Sequence, residues 1–132
     1  MFSPHAKAFA WRYGPVVLVA ALVTALSLAP AWLFREVERG LPPLPGLDKL
    51  VHAAMYATLA AAGLHALPSA KRARLSATLG VALTAALYGA AMELAQGGFT
   101  CSRAMDPFDA LANAAGALVC SLAYCACSRR QA

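Results

Sequence analysis

The sequence predicts an all-α membrane protein, a single domain of four transmembrane helices with both termini on the cytoplasmic side. Three observations predict it. Of the 132 residues, 61% are hydrophobic and only 13% charged, against roughly half and a quarter in an average soluble domain. The apolar residues fall into four long runs. The charged residues lie between and beside those runs, sorted by sign.

Helices are expected at roughly 13–34, 48–67, 75–96 and 107–128. Tyr13 to Phe34 carries no charge and, at about 1.5 Å per residue, is long enough to cross a hydrocarbon core of about 30 Å. Leu50 to Leu67 carries His52 and His65 but no fixed charge, and Leu75 to Met92 and Leu111 to Ser128 are uncharged. With their flanking turns all three reach membrane length. Alanine and glycine recur along them, and small residues let helix backbones approach closely where lipid removes the hydrophobic drive to pack. A soluble bundle would need a charged face at helical period, which these runs lack. Lys7 and Arg12 followed by an apolar run and Ala29-Pro30-Ala31 also have the form of a signal peptide. The run continues through Trp32, Leu33 and Phe34, and a proline inside the cleavage site is unfavourable, so the first helix is read as retained.

The net charge of +5 does not point to nucleic acid, because such proteins spread Lys and Arg over a polar face that this chain lacks. Its distribution is more informative. Lys7, Arg12, Lys71, Arg72, Arg74, Arg129 and Arg130 all fall on one side of the four runs with no acid among them. Arg35, Arg39, Lys49 and Arg103 fall on the other, together with every acid in the chain: Glu36, Glu38, Asp48, Glu93, Asp106 and Asp109. The positive-inside rule makes the first side cytoplasmic.

Polar residues converge at the outer boundary. In DKLVHAAMY, Asp48, His52 and Tyr56 stand at i, i+4 and i+8, one face at depths about 6 Å apart, with Lys49 beside it. Glu93 lies one turn below Gln96 near the end of the third run. Asp109, Asn113 and Gly116 stack at the start of the fourth. By depth, Asp48, Gln96 and Asp109 share an upper level, and His52, Glu93 and Asn113 a lower one. Structural roles compete with functional ones. Asp106-Pro107 matches an N-cap followed by proline at the first helical position, Asp109 then sits in the first turn where the dipole favours a carboxylate, and Asp48 after Pro45-Gly46 is an equal candidate for a cap. Glu93 stands apart, since an ionisable residue inside an apolar helix is expensive and functional by default. His52 and Asn113 would otherwise serve as its hydrogen-bond partners. His65, Tyr13 and Trp32 lie at helix ends where such rings anchor, and no chemistry is assigned to them.

The pattern D48-K-x-x-H52-x-x-x-Y56, then Y88-G-x-x-x-E93-x-x-Q96, then R103-x-x-D106-P-x-D109-x-x-x-N113-x-x-G116 resembles the VanZ-like family of small bacterial membrane proteins, over roughly Asp48 to Cys120. The family takes its name from a protein linked to resistance to the glycopeptide teicoplanin. The resemblance implies a multi-pass protein of the bacterial cytoplasmic membrane, with Asp48, Lys49, His52, Tyr56, Glu93, Gln96, Arg103, Asp109 and Asn113 as ligand-binding residues. One departure is Cys120, which stands where many members have a second glycine, four residues after Gly116.

Other chemistry is sparse. Cys120, Cys125 and Cys127 lie toward the cytoplasmic end without a redox or zinc spacing, and Cys101 has no evident partner. No phosphate loop, dinucleotide fingerprint, nucleophile elbow or HExxH pair is present, and no cofactor is expected. His52 with Glu93 and Asp109 or Asp48 offers metal-ligand types without a diagnostic spacing, and no metal is assigned.

The reading favours a binding or lipid-handling protein over an enzyme. Its partner is a membrane lipid of the envelope, such as a polyprenyl-phosphate or a lipid-linked cell-wall precursor. Lys49 and Arg103 would contact phosphate, the acids would orient them and bond hydroxyls or amines, and Gly116 and the alanines would admit the chain between helices. The alternative is an intramembrane hydrolase or transferase acting on a head group, with His52, Glu93 or Asp109 as catalytic candidates. A proton-coupled transporter is a third reading, and four helices without an inverted repeat would need a homo-oligomer for it.

Overall fold

The computed structural model describes residues 3–34, 40, 45–100 and 104–130, and these are all-helical. The elements are α1 (Pro4–Leu28), α2 (Leu47–Ala66), the single turn α3 (Ser69–Arg72), α4 (Leu75–Phe99) and α5 (Pro107–Arg130). Three of them are long and apolar enough to cross a membrane: α1 over Pro4–Leu28, α4 over Leu75–Gly98 and α5 over Pro107–Arg130. The chain is accordingly a multi-pass membrane protein. The expected fourth span, α2, is not in that set. It is the 20-residue central helix, carrying Asp48, Lys49, His52 and His65, and it packs against α1, α4 and most extensively α5.

The first helix is displaced from its expected 13–34. It starts nine residues earlier because Ser3 caps it, accepting from the Ala6 N–H at 3.2 Å, with Pro4 at the first helical position. It stops at Leu28 because the residue before a proline is pushed out of the helical region, and Ala29, before Pro30, is extended (φ −64°, ψ 141°). Trp32 to Phe34 form a separate short turn. Lys7 and Arg12 therefore lie within the helix rather than ahead of it. The other boundaries move by three residues or fewer, with α4 and α5 running on to Phe99 and Arg130.

Small and polar side chains make up much of the interior beside Val23, Tyr56, Leu59 and Leu64, and many large apolar side chains face outward. Ala60, Ala82, Ala85, Ala117, Thr78, Asn113 and Ser121 are buried, whereas Leu18, Leu83, Leu87, Leu111 and Val119 are each more than 60% exposed. A water-soluble fold would reverse this; a helix bundle whose surroundings are themselves apolar does not need to. The closest approach is Gly116 of α5 against Ala53 of α2. A Cβ at 116 would come within 2.8 Å of the Ala53 Cα and closer still to its carbonyl oxygen. The expectation that Gly116 opens a passage for a lipid chain is therefore overturned: the glycine brings two backbones into contact and leaves nothing between them.

The ends of the bundle differ in charge among the described residues. At one end Arg12 Nε donates to the Ala66 carbonyl at 2.7 Å, Arg72 to the Leu67 and His65 carbonyls at 3.0 and 2.6 Å, and Arg129 to the Ala73 carbonyl at 3.0 Å. These guanidiniums satisfy carbonyls left open where α2 and α3 stop, where cations are also favoured by the dipole. Asp48, Glu93, Asp106 and Asp109 gather at the opposite end.

Candidate functional site

The acidic end is assembled by three helix termini. The first turns of α2 and α5 begin there, and the last turns of α4 finish there, so residues far apart in sequence meet. Asp106 anchors the start of α5: its Oδ1 accepts from the Phe108 N–H at 2.8 Å, closing the turn that leads into Pro107 and the helix. The cap and the polar cluster are not alternatives for this residue, because its other oxygen accepts from Lys49 at 3.1 Å. The Phe108 N–H, and after it the Lys49 ammonium, hold the Asp106 carboxyl below the usual carboxylate range.

Lys49 is the hub of the outer layer. Its ammonium also meets Asp48 at 2.8 Å and Asp109 at 2.8 Å, so three carboxylates surround one cation and each of its three N–H groups has an acceptor. Asp48 is largely exposed and Asp109 is mostly covered. Asp109 stands in the first turn of α5 as expected, whereas α2 has no side-chain cap bond, so the capping reading of Asp48 is set aside.

One turn deeper lies His52. Its Nδ1 is 3.1 Å from Asn113 Oδ1 and 3.7 Å from Glu93 Oε1, and its Nε2 is 3.6 Å from Asp109 Oδ2. Glu93 is only 3% exposed, and its Oε2 accepts the Asp106 backbone N–H at 3.4 Å. Asn113 is fully buried, with Oδ1 turned to His52 and no hydrogen-bond partner for Nδ2 among the described residues. The imidazole is thus bracketed by two carboxylates and an amide drawn from α4 and α5. An imidazole so placed can hold or pass a proton, and the same atoms can ligate a cation.

Of the sequence-predicted residues, the structure brings Asp48, Lys49, His52, Glu93, Asp109 and Asn113 into one cluster. Tyr56 is fully buried one turn below, its ring within reach of Gly89 and 6.4 Å from that of Tyr88, in the packed core and not at the surface of the cluster. Gln96 turns away from the upper level where it was expected: its Nε2 donates to the Ser27 carbonyl at 2.8 Å, one of the acceptors left open as α1 ends. Arg103, together with Arg35, Glu36, Glu38, Arg39 and Cys101, lies outside the described residues. Sequence reasoning missed Thr24, whose hydroxyl meets that of Tyr88 while the Tyr88 hydroxyl donates to the Ala20 carbonyl at 3.0 Å. A Thr and a Tyr within apolar runs were the available signal, since hydroxyls there need partners.

The fold and the site define a class: a multi-pass helical membrane protein with a histidine and carboxylate cluster closed over by three helix ends. Comparison of the chain with family models, with curated proteins and with solved structures finds no match.

Proposed function

We propose that the chain is a VanZ-like protein of the bacterial cytoplasmic membrane, with four spans including α2 and both termini inside, that binds or handles an envelope lipid or a lipid-linked cell-wall precursor at its outer face. The supporting observation is the cluster of Asp48, Lys49, His52, Glu93, Asp106, Asp109 and Asn113 at one end of a bundle that is otherwise apolar outside. Intramembrane ionisable groups gathered in this way mark function far more often than packing.

The geometry changes the roles first expected. Lys49 has all its donors engaged by carboxylates, so the acids are left to accept hydroxyl, amine or amide protons of a head group. Phosphate recognition then falls to Arg103, which precedes Asp106 by three residues. The lipid chain has apolar space between α1, α2 and α4, in a cavity of about 550 Å³ lined by Val16, Leu59, Gly63, Val81, Ala85 and Tyr88 among others. An effect on teicoplanin susceptibility would follow from sequestering a cell-wall precursor.

Native mass spectrometry of gently extracted protein tests the reading. Wild type is expected to carry one anionic lipid species out of proportion to the bulk membrane, and Arg103→Ala to lose it. Bound lipid that mirrors the bulk membrane in both samples overturns it. The bracketing of His52 by Asp109 and Glu93 favours a second reading, a hydrolase or transferase using His52 as general base. That reading requires Glu93→Gln to abolish turnover across a lipid panel while lipid stays bound.

A further inference from the structure

We propose that His52, Glu93 and Asp109 bind a divalent first-row transition-metal ion, manganese(II), cobalt(II) or zinc(II), at the acidic end of the bundle. The ligand types suit such ions: imidazole nitrogen with carboxylate oxygen, and no thiolate in the group. One ligand atom from each residue lies within 4.8 Å of the other two. The distance from His52 Nε2, the nitrogen free to ligate, to Asp109 Oδ2 is 3.6 Å, too long for a hydrogen bond and close to the separation of ~3.4 Å between neighbouring ligands around an ion with bonds of ~2.1 Å, while Glu93 Oε1 stands 3.7 Å from the other ring nitrogen.

The second observation is the way each ligand is held from behind. Asp109 has one oxygen on Lys49 at 2.8 Å and turns the other toward the imidazole. Glu93 has one oxygen on the Asp106 N–H at 3.4 Å and turns the other the same way. His52 Nδ1 meets the amide oxygen of buried Asn113 at 3.1 Å. With the proton on Nδ1, donated to that oxygen, the Nε2 lone pair faces Asp109. A ligating histidine whose other nitrogen is fixed by a carbonyl, beside carboxylates that are themselves hydrogen-bonded, is the usual outer support of a metal site.

Charge points the same way. Among the described residues the cluster holds four carboxylates, Asp48, Glu93, Asp106 and Asp109, against the single ammonium of Lys49. Glu93 is buried, and a buried carboxylate needs a compensating cation. A divalent ion supplies it where a neutral imidazole does not. Three protein ligands also leave a coordination position open. Only the further step, in which a head-group phosphate takes that position, rests on the lipid reading above.

The test uses the full chain purified in detergent, stripped with chelator, and titrated with manganese(II) or cobalt(II) alone, without added lipid. The expected result is one ion per chain, with pulsed electron paramagnetic resonance of the manganese form showing coupling to a single imidazole nitrogen. His52→Ala should weaken binding by on the order of 100-fold, and Asn113→Ala, which removes only outer support, by about 10- to 100-fold. Thr58→Ala, which removes an exposed hydroxyl bonded to the Ala54 carbonyl outside the cluster, should bind as wild type. Absence of stoichiometric binding, or binding without the imidazole coupling, overturns the proposal, and the spectroscopic reading on wild type does not depend on any variant folding. If the ion binds and no selective lipid is found, the metal site stands and the lipid reading falls; the reverse outcome separates them equally.

Discussion

Gly116 of α5 and Ala53 of α2 touch backbone to backbone, and this contact sets the distance between the two helices that carry His52 and Asn113. Adding a methyl group at 116 places it against the Ala53 carbonyl, which cannot rotate aside as a side chain can. Gly116→Ala is therefore expected to lower stability in detergent by about 1–3 kcal/mol and to part His52 from Asn113. Thermal unfolding followed by light scattering checks the first effect, and histidine nitrogen NMR shifts check the second. A variant with unchanged melting and unchanged shifts would show that the crossing is looser than described.

Gln96 ties α4 to the end of α1 through a buried hydrogen bond to the Ser27 carbonyl. Gln96→Leu keeps the volume and removes the donor. The cost expected is about 0.6–2 kcal/mol, from measured interhelical bonds in membranes at the low end and an orphaned buried acceptor at the high end. A double-mutant cycle with Tyr88→Phe, which loosens the same helix pair at Ala20 and Thr24, should be non-additive because both act on the docking of α1.

Acid should act on the start of α5. The Asp106 carboxyl is held below its ordinary value of 3.8 by the Phe108 N–H and by Lys49. A group depressed on folding adds stability that is complete above its unfolded value and is lost as pH falls through its folded value. The contribution of this group to the melting temperature is thus expected to be full and constant between pH 7 and 5 and to decline below about pH 4. Asp106→Asn, which caps a helix as well as Asp does, should remove part of that decline while leaving the helix start intact. An unchanged acid slope in the variant would deny Asp106 the role.

Orientation is testable with membrane-impermeant maleimide in a background lacking the four native cysteines. Ala104→Cys, exposed just ahead of α5, should label in intact spheroplasts, and Ser69→Cys, exposed between α2 and α4, only after lysis. The opposite pattern would invert the proposed topology and put the acidic cluster inside.

Depth was legible in the sequence and direction was not. Spacing by three or four residues places His52, Glu93 and Asn113 at one level, and the structure finds them in contact or near it. The same reasoning put Gln96 with Asp48 and Asp109, yet it faces α1, because spacing along a helix says how far down a residue lies and not which neighbour it meets. Asp106 was weighed as a cap against a site residue when its two oxygens serve both ends.

The sequence by itself determined that this is a helical membrane protein with Asp48, Glu93, Asp106 and Asp109 gathered at one end, since hydropathy, run length and charge order are properties of consecutive residues. The helix that begins at Pro4 and the break before Pro30 are likewise local, set by a cap and by proline sterics. Tertiary structure decided that Lys49 is enclosed by three aspartates, that Gly116 closes a crossing where an opening was expected, and that His52 stands between Glu93 and Asp109. Those outcomes depend on how each helix is rotated about its own axis, and that rotation follows from the packing of small residues between α2, α4 and α5, which no single segment encodes.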